Sequence, residues 1–455
     1  MNEIKTILEN HKELSEIGEE FIEYVLENKE CQDRNAYHVP IENKDYDVHF
    51  QAWPAFVGPK KSTEFEKITV GLAKLIKAIP ERVFKNDAAR ISDYFQMDKS
   101  FVEKYALRAT SCIDGMAVRG DFIETDDGLK CIEFNMESNL GGWEVVFYED
   151  TFKNDPLIKR FTNNKQVELN YTDNMNLFLE HVIKDSLQNL PSKDIVNIAI
   201  VDEGFMDEPM LYFLNMKYAQ VRQQISPHLK GEIVTTGSGQ LNVQSGKLYK
   251  GHTHVHAVVN YSFNVGLDVL DCLEEGSIRL FNGPLAKVLT QKFSIAALSE
   301  YQDSGVFTEE EADLIRKHVP WTRCMKPGIT TFKNEEKELI DIVLSHKDDL
   351  VFKIANSLGG TDVYLGHSTD METWETVAHR AFDEKNWIVQ ERAESKAYMH
   401  LTDSNEFCPH DVVWGLFSIG NQYGGGFIRC LPKYKNAIVN NAKGATDTFM
   451  FNVNR

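Results

Sequence analysis

The sequence is short of several things, and each shortage excludes a class of protein. Its seven cysteines (31, 112, 131, 272, 324, 408 and 430) are odd in number and contain no C-x-x-C pair. Neither a disulfide framework nor a zinc ribbon is expected, and free thiols in a reducing cytoplasm are. No apolar run approaches the ~20 residues of a membrane span. The opening MNEIKTILENHKEL is charged throughout, so no secretory leader is expected there. Basic residues are outnumbered, 49 against 69 acidic, for a formal charge of −20. A nucleic acid partner, which needs phosphates neutralised by surface cations, is therefore not expected. An anionic ligand would have to find its positive partners locally, and the acidic surface serves solubility. There is no low-complexity tract, no G-x-x-x-x-G-K-[ST] loop and no G-x-G-x-x-G following a strand.

What remains has the composition of an ordinary soluble globular protein, 42% hydrophobic and 26% charged over 455 residues. That length predicts two or three packed units. Helical spacing is expected over 1–30, 65–79 and 98–108, the last with Asp98 as N-cap. Residues 117–136 read as a hairpin, and from about 172 an α/β alternation begins. Strands are expected at 196–202, GEIVTT, KLYK and HVHAVVNYS, with helices over the stretch from Asn174 and over 208–224. Later come helices at 293–301, 309–318 and 372–383 and strands at 349–355 and 387–391. GLFSIGNQYGGGFIRC and NAIVNN then read as two antiparallel strands.

The stretch CIEFNMESNLGG (131–142) is the most informative. It begins as a buried strand, yet Glu133 and Asn135 occupy alternate positions and so share a face. On the preceding strand Arg119 and Asp121 are spaced in the same way. A two-residue Asp127-Gly128 loop would pair Asp121 with Phe134. A three-residue Asp126-Asp127-Gly128 loop with a G1 bulge would pair Thr125 with Leu129, Asp121 with Glu133 and Arg119 with Asn135. The second register gathers one cation and three oxygen donors, a hard set suited to Mg²⁺ bridging to phosphates. The plainer alternative is a polar surface with an incidental Arg–Asp pair.

Lys353, inside the apolar strand of DLVFKIANSLGG, needs a use for its charge. The Gly359-Gly360 loop after it offers backbone N–H groups to an anion, though an ordinary hairpin would look the same. Gln390 and Glu391 end a later apolar strand, where they could meet an adenine edge and a ribose. Arg429 follows three glycines, and Asn440 and Asn441 lie beyond it. In GHTHVH, His252, His254 and His256 fall on one strand face but cannot easily converge on one zinc. Cys408, Cys430 and His410 suggest a thiol nucleophile without an evident base and orienting partner.

Taken in order, these pieces resemble the circularly permuted ATP-grasp ligases, most closely the synthetase module of glutathionylspermidine synthase. R-x-D (Arg119, Asp121) is followed by E-x-N (Glu133, Asn135) at the family's interval. A lysine opens a helix in TQKFSIAALSE (Lys292), a second sits in VFKIANSLGG (Lys353), Gln390-Glu391 end a strand, and GGFIR carries Arg429. The resemblance implies an α/β (α+β) chain with an ATP-grasp fold in permuted order. It has N-terminal helices and a metal hairpin over 1–170, a small pre-ATP-grasp-like α/β unit over 171–280, and the lysines, lid loop and closing sheet over 281–455. It further implies Mg²⁺ on Asp121, Glu133 and Asn135, and ATP against Lys292, Lys353, Gly359, Gly360, Gln390, Glu391 and Arg429. Arg119 would be catalytic, stabilising the phosphoryl group in transfer. The activity implied is ADP-forming ligation of a small carboxylate to an amine through an acyl phosphate. A peptide or carrier-protein terminus is the alternative acceptor, and a non-catalytic nucleotide-binding scaffold the alternative from another class. The family's loop Arg and the Pro after the second lysine are here Leu358 and Ile354, which sets glutathione aside as the expected acid.

Overall fold

A computed structural model describes residues 2–28, 53–138, 140–262, 265–357, 362–402 and 406–454. Its largest sheet has seven strands. Ala55–Val57 lies parallel to Thr446–Asn452, then follow Gln422–Pro432, Phe407–Ile419, Ala117–Thr125 and Gly128–Asn135 in antiparallel order. Tyr398–Leu401 pairs with the first part of Phe407–Ile419, beside the stretch that pairs with Ala117–Thr125.

Strand alternation gives this sheet two different faces. One carries Val118, Phe134, Leu416, Ile428 and Met450 and is covered by the helix Pro59–Arg82, whose Phe65, Ile68, Leu72, Leu75, Ile76 and Ile79 are buried. Pro59 sits at the helix start, where its missing N–H costs nothing. The other face is aromatic at one end, where Phe417, Phe427, Phe449 and Phe451 pack with Phe152 and Phe161. It turns polar where Ala117–Thr125 meets Gly128–Asn135.

A second, all-parallel sheet runs Arg279–Phe281, Ala257–Asn260, Ile198–Val201, Ile233–Thr236, with the helices Asn174–Asn189 and Glu208–Ile225 packed on it. Its two central strands, Ile198–Val201 and Ala257–Asn260, are buried throughout, as central parallel strands are, while the edge strand Ile233–Thr236 is half-buried. Asn282, at its end, ties it to the large sheet: it accepts from the Ala117 N–H (3.0 Å) and donates to the carbonyls of Ala117 (2.7 Å) and Met136 (2.8 Å). A third, antiparallel sheet orders Thr322–Cys324, Trp387–Glu391, Leu350–Ile354, Val363–Leu365, backed by Trp374, Val377 and Ala381 of the helix Met371–Glu384.

Two expectations are corrected. GLFSIGNQYGGGFIRC is itself a hairpin, turning at Gly420 (φ +60°), and the closing strand is Thr446–Asn452 rather than NAIVNN. GHTHVH is not one strand. Only Thr253–His254 is extended, and the His256 ring turns inward so that Nδ1 accepts the Asn197 N–H (3.1 Å). Among the described residues no three His, Cys, Asp or Glu side chains are grouped to hold a metal, and no helix is long and apolar enough to cross a membrane. None of the six described cysteines is in a disulfide, and burial raises the Cys408 thiol, so His410 at 3.7 Å faces no ready thiolate.

Candidate functional site

Asp121 pairs with Glu133 and Arg119 with Asn135. The turn, however, is not the three-residue loop that this register was expected to need. Thr125 pairs with Gly128 across Asp126 and Asp127, and its hydroxyl donates to the Gly128 carbonyl (2.8 Å). The register shift falls between Asp121 and Phe122, where Ile132 is the extra residue of a bulge. The bulge turns the Ile132 carbonyl toward Lys353, whose Nζ donates to it at 3.2 Å.

Direct pairing carries one face across four strands, Glu133–Asp121–Gly415–Phe427, and two residues along it pairs Arg429 with Asp447. Arg119 is buried and forks onto Asp121, with Nε at 2.7 Å from Oδ1 and Nη2 at 3.0 Å from Oδ2, while Nη1 donates to the Gly141 carbonyl at 2.7 Å. Arg429 lies 3.7 Å from Asp121 and 3.5 Å from Asp447. Burial, partly offset by Arg429, pushes the Asp447 carboxyl up to about 6. The Asn441 amide donates to Asp447 at 3.2 Å. Burial also raises the carboxyl of Glu137, which accepts from the Thr290 hydroxyl at 3.3 Å.

The cations arrive from the opposite side. Lys292 precedes the helix Phe293–Tyr301, where its N–H donates to the Ala355 carbonyl (2.9 Å) and its Nζ to the Ser357 carbonyl (2.6 Å). The same Nζ is 3.3 Å from Glu133 Oε1. Lys353 Nζ donates to Gln390 Oε1 at 2.7 Å, and the Gln390 amide donates to Thr322 Oγ1 at 3.1 Å. Burial pulls the Lys353 ammonium down to about 8. Among the described residues its hydrogen-bond partners are neutral oxygens, so no carboxylate hydrogen-bonds the ammonium there.

Arg119, Asp121, Glu133, Asn135, Lys292, Lys353, Gln390 and Arg429 thus lie in one contiguous network. Glu391 does not join it. It pairs with Leu350, one residue out of step with Lys353 and Gln390, and so belongs to the other strand face. It lines a cavity of about 710 Å³ with Thr125, Asp126, Asp127, Trp321 and Lys396. Gly359 and Gly360 lie outside the described residues. The sequence reading passed over Asp447 and Phe427. A lone acid in the apolar TDTFMF was a usable signal for the first, whereas a phenylalanine in an apolar strand gives none.

The donor set fits a hard cation. Three oxygen-bearing side chains, those of Asp121, Glu133 and Asn135, share one face, and Asn135 makes no side-chain hydrogen bond among the described residues, which leaves its amide oxygen available.

No protein-family model matches the chain, and no curated protein matches it. Among solved structures, a glutathione synthetase-like effector from Globodera pallida superposes with a TM-score of 0.59 at 11% identity, covering 95% of both chains. A putative γ-glutamylcysteine synthetase from Methylobacillus flagellatus (TM-score 0.38, 12% identity, 80% and 82% covered) superposes too loosely to carry argument. So does a D-alanyl-alanine synthetase A from Vibrio cholerae (0.27, 13%, 50% and 68%). The fold is therefore similar to that of the glutathione synthetase-like effector along nearly the whole chain.

Proposed function

We propose that the protein is an ATP-dependent carboxylate–amine ligase, forming an amide through an acyl phosphate and releasing ADP and phosphate. The observation that carries this reading is the convergence of Lys292 on Glu133 and of Arg119 and Arg429 on Asp121, with Lys353 against the Ile132 carbonyl next to Glu133, in an otherwise acidic chain. Phosphoryl transfer asks mainly for positioned positive charge and metal-binding oxygens.

In this reading Lys292 and Lys353 hold the nucleotide phosphates, with Gln390 orienting Lys353. Gln390 and the main chain at Glu391 mark the side from which the base approaches, the Glu391 side chain facing the other side of the strand, and Gly359 and Gly360 supply backbone N–H groups to the phosphates. Asp121, Glu133 and Asn135 would hold Mg²⁺, which would supply charge neutralisation for the nucleotide phosphates. A substrate carboxylate oxygen attacks the γ-phosphorus and ADP departs, with Arg119 and Arg429 facing the charge that develops. An amine then attacks the acyl carbon, and phosphate leaves with the oxygen that the acid contributed. The wall from Glu137 to Glu144 receives the acceptor. Closure of the site keeps water from the mixed anhydride.

The strand order is read as permuted, the metal hairpin preceding both lysines. The units are bounded at 1–170, 171–280 and 281–455, and the protein works in the cytoplasm without a nucleic acid or membrane partner. The test is incubation with ATP, Mg²⁺ and pooled amino acids, small carboxylates and polyamines, reading ADP and condensed products by mass spectrometry. Substrate-dependent ADP with a new amide is the expected result, with Glu133→Ala inactive yet folded. Full activity in Glu133→Ala removes the metal assignment, and nucleotide binding without turnover for any acid, amine or peptide acceptor makes the protein a scaffold.

A further inference from the structure

Arg429 is held in an unusual way. Its side chain makes no hydrogen bond among the described residues; its two carboxylate neighbours are at 3.5 and 3.7 Å, and its buried Nε, the atom nearest Asp447, has no hydrogen-bond partner. What lies against it is an aromatic ring. Its guanidinium carbon is 5.0 Å from the Phe427 ring centre, and that of Arg119 is 5.8 Å from the same centre. Both distances are within reach of a cation–π attraction, which strengthens when the partners are desolvated. Phe427 is 1% exposed and Arg119 6%.

The backbone is shaped around this ring. Gly415 stands between Asp121 and Phe427 in the cross-strand row, and a side chain there would run into the ring. Gly142 adopts φ +103° with its Cα against the ring edge, so that a Cβ would overlap three ring atoms. Next to it, a Cβ on Gly141 would press on both guanidiniums, 3.3 Å from Arg119 and 3.4 Å from Arg429. Three glycines from two segments thus leave room for one ring and two cations.

We infer that Phe427 is a positioning residue for the phosphoryl-transfer arginines: its ring fixes Arg429 without consuming its N–H donors, which stay free for the reacting oxygens, and braces Arg119, whose guanidinium is already engaged by Asp121 and the Gly141 carbonyl. A carboxylate in its place would hold Arg429 equally well but occupy those donors, as Asp121 does for Arg119. This inference rests on the ligase reading. The bland alternative is that Phe427 only fills space beside Phe417, whose ring centre is 6.2 Å away.

Replacing Phe427 by mono-, di- and trifluorinated phenylalanines tests this, because fluorination drains the ring's negative face with little change of shape. The expected result is a stepwise fall in kcat, on the order of tenfold across the series, with KM for ATP held within about twofold because the lysines hold the nucleotide. Phe427→Leu falls further and Phe427→Trp recovers part of the loss. A kcat indifferent to fluorination overturns the inference, since packing alone would be preserved. A second readout keeps the two ideas apart: the Arg Hε resonances of unligated protein, shielded by the ring, move downfield in Phe427→Leu if the stack is real. Movement without any ADP release sinks the ligase reading alone; unmoved resonances sink the platform whatever the activity.

Discussion

Replacing Lys353 with methionine removes a charge that the empty protein holds at a cost. Burial lowers its ammonium from 10.5 to about 8, which corresponds to about 3 kcal/mol against the charged form. The sign follows from proton counting. Above pH 8 the folded protein gives up this proton, while the unfolded chain keeps it until about 10.5, so the folded state gains stability from Lys353 as pH rises through that window. Below pH 8 the full cost is present. Relative to wild type, Lys353→Met is therefore most favoured at pH 7, and its advantage shrinks by about 3 kcal/mol between pH 8 and 10.5. Taking the difference cancels the buried tyrosines and cysteines that titrate nearby. The absolute gain at pH 7 is smaller, because Gln390 and the Ile132 carbonyl lose their donor, at about 1–2 kcal/mol. Nucleotide phosphates reverse the balance by restoring the charge. At pH 9, MgATP binding to wild type takes up close to one proton, and affinity falls about tenfold per pH unit above 8. Lys353→Met takes up none and binds weakly at every pH. Calorimetry in buffers of different protonation enthalpy reads the proton directly. Binding at pH 9 with no proton uptake and no loss of affinity would refute this account of Lys353.

Gly142→Ala meets both a positive φ and the Phe427 ring, and should cost about 2–4 kcal/mol in urea unfolding. Gly128→Ala, at φ +94° with open space around it, should cost only about 1 kcal/mol. Asn282→Ala strands three buried backbone groups between the large and parallel sheets. It should lower the unfolding free energy by about 2–4 kcal/mol, an effect that loss of side-chain volume alone would not reach. His11 is buried and its imidazole is pulled down to about 3, so its contribution is intact above pH 6.5 and is lost as pH falls from 6.5 toward 3. His11→Gln, which can still accept the Met399 N–H, should flatten the decline in thermal stability between pH 6.5 and 4.

The sequence displayed the chemistry more clearly than the geometry. Phe293–Tyr301 and Glu309–His318 were legible to the residue, because local periodicity decides a helix, and the structure adds a capping box of Thr308 and Glu311 to the second. The Asp121–Glu133 register was also legible, but for the wrong reason. It was ascribed to the turn, whereas a mid-strand bulge at Ile132 produces it, and the carbonyl of that residue has a partner, Lys353, 221 positions away. No local pattern announces such a contact. The closing strand was misplaced for the same reason: NAIVNN and TDTFMFN are both plausible strands, and only pairing with Ala55–Val57 and Gln422–Pro432 selects the second. Phe427 and Asp447 owe their surroundings to neighbours across the sheet, which a linear reading does not reveal.

The central claim is that the acid is activated as an acyl phosphate. The direct measurement uses the acid substrate with ¹⁸O in both carboxylate oxygens, turned over with MgATP and the amine, and mass analysis of the phosphate released. The account predicts one ¹⁸O per phosphate and none in the ADP. Unlabelled phosphate, or label recovered in AMP, would contradict it.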